Sequence, residues 1–95
     1  MNMKFEWDDA KSDGCFAERG FDFVYAIRVF LDPRRLIRRD DRKSYGEERY
    51  QVFGRIDERL FVIMFTYRSA DIRIISARKA NAREVRTYED ASGNN

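Results

Sequence analysis

The spacing of apolar residues changes once along the chain, near Pro33, from a helical period to the alternation typical of strands. Before Pro33, a strand-like stretch at residues 4–7 precedes Asp8, which can cap a helix that ends at Gly20. A second cap, Asp22, precedes eight mostly apolar residues. Four of these share one helical stripe: Phe23, Ala26, Ile27 and Phe30. One short strand and two helices are therefore predicted here.

After Pro33, the alternation predicts four strands joined as an antiparallel meander. They cover residues 36–39, 50–56, 60–67 and 72–78. The strand at 60–67 is apolar on both faces, so it should be the most buried strand of the sheet. A last helix is expected from Asn81, whose side chain can form a capping box with Glu84.

These elements predict an α+β fold in a single domain spanning residues 1–95. Two N-terminal helices and a C-terminal helix should pack against an antiparallel β-sheet. The polar residues 91–95 should form a frayed tail.

Composition limits the kinds of site that this chain can carry. There is no histidine and only one cysteine, Cys15, which nearly excludes a zinc site and excludes Ser/His/Asp and Cys/His catalytic sets. No glycine-rich phosphate loop is present. The longest apolar run, residues 60–65, is too short to span a bilayer, and no charged-then-apolar leader is visible, so we expect a cytoplasmic protein without a cofactor.

Arginine dominates the basic residues, with 15 arginines and four lysines at a net charge of only +2. The planar guanidinium suits bidentate contacts to phosphate better than an ammonium does. Residues 34–43 concentrate six basic residues against two acids. This bias favours a phosphate-bearing partner. The alternative is a coding bias toward arginine on a solvated surface.

The strand at 72–78 carries two of the arginines that are candidates for a phosphate site. Strict alternation places four residues on one face: Ile72, Ile74, Ser76 and Arg78. Arg73 would then lie on the other face, and Arg68 lies at the preceding turn. Together these arginines could grip a phosphate. Alternatively, Arg78 pairs with Glu84 or Glu89 of the following helix.

The segment KSYGEERY, residues 43–50, brings acidic and basic side chains to one edge of the sheet. Its charged members are Lys43, Glu47, Glu48 and Arg49. Loops on a rigid scaffold often hold catalytic residues. Charged loops before strands are also ordinary, so this segment alone does not decide between the two interpretations.

Four stretches of the chain resemble the BrnT family of bacterial toxins. They are KFEWDDAK, FDFVYAIRVFLDP, GEERY with Gly54 after it, and IRIISARKANAREVRTYE. The resemblance covers Met3 to about Glu89. It implies a RelE-like fold and a ribonuclease that cleaves RNA and inhibits translation. It also implies a BrnA-like ribbon-helix-helix antitoxin as partner, with promoter DNA contacted only through the toxin–antitoxin complex and no membrane.

The resemblance also suggests candidate catalytic residues. Many members have a histidine before the glycine that ends the first helix and another near GEER, where this chain has Arg19 and Ser44 or Tyr45. A metal-independent, His-free acid–base mechanism is therefore expected, in which each acid–base role contributes ~10²–10⁴ in rate. The base would be Glu48 or Glu47, the acid Tyr45 or Tyr67, and the phosphate clamps Arg49, Arg68, Arg73 and Arg78.

Two other functions stay open at this point. One is a catalytically decayed subunit that binds the antitoxin and acts as a co-repressor. The other is an RNA-binding module that does not cleave. Sequence patterns alone do not distinguish either of these functions from that of a ribonuclease.

Overall fold

The computed structural model describes residues 3–41 and 46–91 and orders them into five strands and three helices, the second of which continues as a 3-10 helix. In chain order they are β1 (Phe5–Trp7), α1 (Asp9–Arg19), α2 (Phe23–Ala26), the 3-10 helix (Ile27–Leu31), β2 (Leu36–Arg39), β3 (Tyr50–Ile56), β4 (Arg59–Arg68), β5 (Asp71–Lys79) and α3 (Ala82–Ala91). The bounds predicted for β2 and β3 are confirmed. Ala91, the first residue of the predicted tail, is the last residue of α3, and residues 92–95 lie outside the described residues.

The helix ends follow the predicted capping residues. Asp8 and Asp22 each accept a hydrogen bond of 2.9 Å from a backbone N–H of the following turn. Gly20 ends α1 in the left-handed conformation, with φ 87°. At the start of α3, the backbone N–H of Asn81 donates to Glu84 at 2.9 Å, and the N–H of Glu84 donates to the Asn81 side chain at 2.8 Å. The predicted capping box is confirmed.

The second helix is α-helical for only one turn before it tightens into the 3-10 helix. Phe23, Ala26 and Val29 are buried at a spacing of three residues, whereas Ile27 is only half-buried. The predicted stripe is confirmed, since Ile27, though only partly buried, also packs against the core. Gly54 of β3 lies against this segment, and a Cβ there would come within 2.7 Å of the Val29 carbonyl oxygen. The missing side chain of Gly54 lets the 3-10 helix approach the sheet.

The sheet has the strand order β1-β5-β4-β3-β2. β4 is central, as predicted, and β2 to β5 form the predicted antiparallel meander. The prediction of a purely antiparallel sheet is wrong for β1, which runs parallel to β5 and pairs Phe5 with Ile72. Both N-terminal helices and three strands separate β1 from β5 along the chain. The residue pattern of the three-residue strand β1 does not indicate whether it pairs parallel or antiparallel to β5.

A β-bulge interrupts the pairing of β4 with β5. Met64 pairs with Ser76, whereas the next residue, Phe65, pairs with Ile74, which leaves Ile75 as an extra residue. The extra residue reverses the alternation of side chains for the rest of β5.

The bulge changes which face Arg78 occupies. Ala77 joins Ile72 and Ile74 in the hydrophobic core, and Arg78 lies on the opposite face together with Arg73. The prediction that Arg78 shares a face with Ile72 and Ile74 is therefore wrong, because strict alternation assumes an uninterrupted ladder.

The two faces of the sheet are covered differently. The inner face packs against α1, α2 and the 3-10 helix and includes fully buried Ile63 and Phe65. The outer face carries α3 at one end only, where Tyr88 and Val85 pack on β3 and β4. None of the described helices is both long enough and apolar enough to cross a membrane.

Candidate active site

Beyond the end covered by α3, the outer face of the sheet is lined mainly by polar side chains. One row across four strands consists of Arg38, Gln51, Met64 and Ser76. The next row consists of Thr66, Arg73 and Glu6. We call this region the open end of the outer face.

Thr66 fixes the loop before β3 to this end of the sheet. Its hydroxyl donates a 2.6 Å hydrogen bond to the backbone carbonyl of Glu48, and its side chain is buried. The charged residues at 47–49 are therefore attached to the central strand rather than only to β3.

Glu47 lies between two guanidinium groups. Its carboxylate is 3.3 Å from Nε of Arg49 and 3.9 Å from Nη2 of Arg68. The Arg68 side chain is 55% exposed, so the contact leaves much of this guanidinium in solvent. Such exposed pairs hold their partners weakly.

Glu48 points to a different set of partners from Glu47. Its carboxylate accepts a 2.7 Å hydrogen bond from the Tyr50 hydroxyl and lies 3.8 Å from the Arg39 guanidinium. The hydrogen bond to Glu48 raises the pKa of Tyr50 above its ordinary value. The Tyr50 ring also contacts the ring of Tyr67, with centroids 5.4 Å apart. The carboxylate is thus oriented by the Tyr50 phenol, whose ring lies against that of the half-exposed Tyr67.

These side chains meet in a cavity of about 310 Å³ at the junction of the loop with β3 and β4. Its lining consists of Glu47, Glu48, Tyr50, Thr66, Tyr67 and Arg68. The structure therefore brings together Glu48, Tyr67 and Arg68, which the sequence singled out separately, and adds Arg49 through its contact with Glu47. Lys43, Ser44 and Tyr45, the other candidates in this loop, lie outside the described residues.

Sequence reasoning missed Tyr50 and Thr66. Tyr50 follows Glu48 by two residues, a spacing that puts both side chains on one side of an extended chain. That spacing was a usable signal. Thr66 reaches the loop only because β3 and β4 are paired, and its sequence neighbourhood gives no sign of this.

Arg73 lies beside the cavity on the neighbouring strand β5, opposite Thr66 in the same row. Its guanidinium donates a 2.7 Å charged hydrogen bond to Glu6 of β1. Glu6 comes from the other end of the chain, so the pair depends on the parallel pairing of β1 with β5.

Arg78 has the most complete set of contacts among the candidate arginines. It forms two hydrogen bonds of 2.8 Å with the two carboxylate oxygens of Glu84, whose side chain is only 14% exposed. The bonds from Arg78 hold the pKa of Glu84 below its ordinary value. Arg78 pairs with Val62, six residues before Arg68 on β4, which corresponds to roughly 20 Å at strand spacing. It is therefore joined to α3 and remote from the cavity.

Comparison with protein families decides the family. The model of a family described as "Ribonuclease toxin, BrnT, of type II toxin-antitoxin system" matches residues 7–84. The chain belongs to the BrnT family. The resemblance found in the sequence is thereby confirmed, and no curated protein matches the chain.

All eight candidate catalytic residues named from the sequence of this BrnT chain lie within the matched region. Arg19, which occupies the position of one expected family histidine, lies in the last turn of α1 and is 3.6 Å from Glu18 on the surface. The end of the sheet beyond α3 thus supplies carboxylates, phenols and guanidinium groups to one cavity, without histidine. Thr66 and Arg68 come from the outer face, whereas Tyr50 and Tyr67 lie on the inner face beside Phe65. These groups are sufficient in kind for proton transfer and for stabilising charge on a phosphate.

Proposed function

We propose that this BrnT chain cleaves RNA at the cavity between β3, β4 and the loop before β3, and thereby inhibits translation until its antitoxin binds. The observation that carries the proposal is the cavity of Glu47, Glu48, Tyr67 and Arg68 in a chain whose family consists of ribonuclease toxins. The exposed guanidinium of Arg68 offers the phosphate contact, and the carboxylates and phenols beside it offer proton transfer.

Glu48 is the proposed general base. Tyr50 orients its carboxylate by the 2.7 Å hydrogen bond, whereas Glu47 is engaged by two guanidinium groups. Glu48 takes the proton of the RNA 2′-hydroxyl, and the 2′-oxygen bonds to the adjacent phosphorus. The bond from phosphorus to the 5′-oxygen breaks, and Tyr67 gives a proton to that oxygen. The products are a 2′,3′-cyclic phosphate and a free 5′-hydroxyl. This chemistry requires no metal and no histidine.

Charge on the phosphorane would be stabilised by Arg68 and Arg49, with Arg73 contacting a neighbouring phosphate. Glu47 occupies Arg49 and Arg68 in the free protein, so the scissile phosphate would replace a carboxylate on these groups. Arg73 keeps Glu6 as a partner, which suits an orienting role. Preorganised donors of this kind contribute ~10²–10³ in rate each.

Arg78 is assigned here to structure rather than to phosphate binding. Its bidentate pair with Glu84 joins β5 to α3 and leaves it remote from the cavity. The proposal therefore reduces the predicted catalytic set to Glu48, Arg49, Tyr67, Arg68 and Arg73.

The partner in this proposal is a BrnA-like antitoxin with a ribbon-helix-helix domain, which would connect the toxin to promoter DNA. A RelE-like arrangement of the sheet and helices and a cytoplasmic location complete the proposal. The five-stranded, mostly antiparallel sheet is compatible with such a fold.

Induction of the chain in a bacterium tests this function. We expect growth arrest and loss of mRNA, reversal when the antitoxin is co-expressed, and no arrest with Glu48→Gln at equal protein level. Normal growth with the wild-type chain present in soluble form would overturn the ribonuclease proposal. That outcome would favour a subunit that binds antitoxin without catalysis.

A further inference from the structure

The backbone at the outer side of β2 is available for pairing with another strand. Within the part of the chain that the structure describes, β2 ends the sheet. The N–H of Asp40 donates to the Arg49 carbonyl at 2.8 Å, which makes these residues a hydrogen-bonded antiparallel pair. Because such pairs alternate along a ladder, the N–H and C=O groups of Ile37 and Arg39 point away from β3. This edge therefore presents two donors and two acceptors to a further strand.

The side chains around this edge favour an acidic strand. Residues 33–39 contain no acid and four arginines, which are Arg34, Arg35, Arg38 and Arg39. Among described residues, Arg39 is the one of these four whose guanidinium forms ion pairs with acidic side chains, Asp41 and Glu48, and Glu84 of α3 lies close enough to Arg38 for an electrostatic interaction. Ile37 is 45% exposed and offers an apolar contact between the charges. A segment that alternates acidic and apolar residues matches this pattern.

The same arginines disfavour pairing of β2 with a second copy of this chain. Antiparallel self-pairing would bring Arg38 and Arg39 close to the arginines of the other copy, and like charges on opposed strands are destabilising. The edge is therefore protected against self-association while it stays complementary to an acidic partner.

We infer that the antitoxin adds an extended acidic segment to β2 as a sixth strand of the sheet. This inference rests on the proposed function, since it assigns a surface to the neutralising partner. Side chains of an added strand alternate between the two faces, so every second one would lie beside Arg38 and Gln51 on the outer face. The bound segment would thereby bring negative charge to the row next to the cavity and disfavour RNA there.

Amide hydrogen exchange of the chain alone and of the complex with its antitoxin tests the added strand. In the chain alone, the amides of Ile37 and Arg39 should exchange fast, whereas the amide of Arg38, bonded to β3, should exchange slowly. In the complex, the amides of Ile37 and Arg39 should slow by at least roughly tenfold, since they gain a strand partner. Unchanged exchange at both positions in the complex would overturn the inference. Slow exchange at both positions in the isolated chain would also overturn it.

Two substitutions at Ile37 separate backbone pairing from side-chain contact. Ile37→Pro removes the outward N–H without removing a bond to β3, and Ile37→Thr keeps that N–H with a similar side chain. Loss of one backbone hydrogen bond predicts affinity for the antitoxin weaker by roughly fivefold to tenfold in Ile37→Pro than in Ile37→Thr. Equal affinities in the two variants would contradict strand addition. If Ile37→Pro does not fold, the exchange experiment still decides.

The same two variants distinguish failure of this inference from failure of the proposed function. Both should cleave RNA as the wild type does, because Ile37 lies outside the cavity. Slowed exchange at Ile37 and Arg39 in a complex whose toxin cleaves no RNA would overturn the ribonuclease proposal and leave the added strand intact. Affinity for the antitoxin should also fall as salt is raised, and an affinity independent of salt would contradict an acidic segment.

Discussion

Arg78 and Arg68 lie on the same face of the sheet and both contact a glutamate, yet their surroundings differ in every other respect. Arg78 forms two 2.8 Å hydrogen bonds with Glu84, which also caps α3. Arg68 approaches Glu47 only to 3.9 Å and is more than half exposed. One carboxylate is fixed by three donors, and the other is shared loosely between two guanidinium groups.

This difference separates a structural arginine from one that a ligand can use. Arg78 can offer the fork that binds Glu84 to a phosphate only by releasing that carboxylate, which also caps α3. A long, exposed contact gives up little when a phosphate replaces the carboxylate. Both residues are arginines on strands, so neither residue type nor position separates the two roles. The roles differ because the carboxylate partner of Arg78 is more buried and more closely bound than that of Arg68.

The largest effect on stability should come from the strand that carries both regions. Phe65→Ala should lower the free energy of unfolding by ~2–5 kcal/mol, and Ile63→Ala should act in the same range, through cavity formation in the core. Val24→Ala, a surface control that is 60% exposed, should change it by less than ~0.5 kcal/mol. Chemical denaturation checks all three, and equal values for Phe65→Ala and Val24→Ala would mean that β4 is not the centre of the fold.

Removing the two glutamates should sharpen the contrast between the arginines. Glu84→Ala removes the acceptor of the Asn81 backbone N–H and the partner of Arg78. It should lower the free energy of unfolding by about 2 kcal/mol. Glu47→Ala removes a 3.3 Å contact with Arg49 and a 3.9 Å contact with Arg68 but no capping bond, and should lower the free energy of unfolding by less than ~1 kcal/mol. Thermal melts of the two variants make the comparison, and a larger cost for Glu47→Ala would reverse our assignment.

The smallest predicted effect is the acid sensitivity contributed by Glu84. Because Arg78 depresses its folded pKa below the ordinary 4.5, the carboxylate contributes stability above that pH and loses it as the pH falls through the folded pKa. Glu84→Gln keeps a capping side chain but cannot titrate. The difference in free energy of unfolding between wild type and Glu84→Gln should therefore shrink as the pH is lowered below about 4.5. A difference that stays constant with pH would show that the pair does not perturb Glu84.

Local signals in the sequence predicted the elements that depend on local contacts. The capping box of Asn81 with Glu84 and the bounds of β2 and β3 follow from neighbouring residues and their alternation. Arg78 and Glu84 are only six residues apart, so the sequence also offered their pairing as one of the alternatives.

Contacts between distant parts of the chain explain what the sequence could not show. Arg73 and Glu6 are 67 residues apart and meet only through the parallel edge strand. The bulge at Ile75 places Arg78 on the outer face. No residue type in β5 indicates that a bulge occurs there. The cavity likewise depends on Thr66 bonding the loop at Glu48, a contact of paired strands.

RNA cleavage by Arg68→Lys and Arg78→Lys, measured side by side with their melting temperatures, tests the central claim most directly. Lysine cannot reproduce a bidentate contact, so Arg68→Lys should lose about 10²-fold in cleavage rate with little change in melting temperature. Arg78→Lys should cleave at the wild-type rate and melt at a lower temperature, because its pair with Glu84 is weakened. Wild-type cleavage by Arg68→Lys, or a loss confined to Arg78→Lys, would contradict the account.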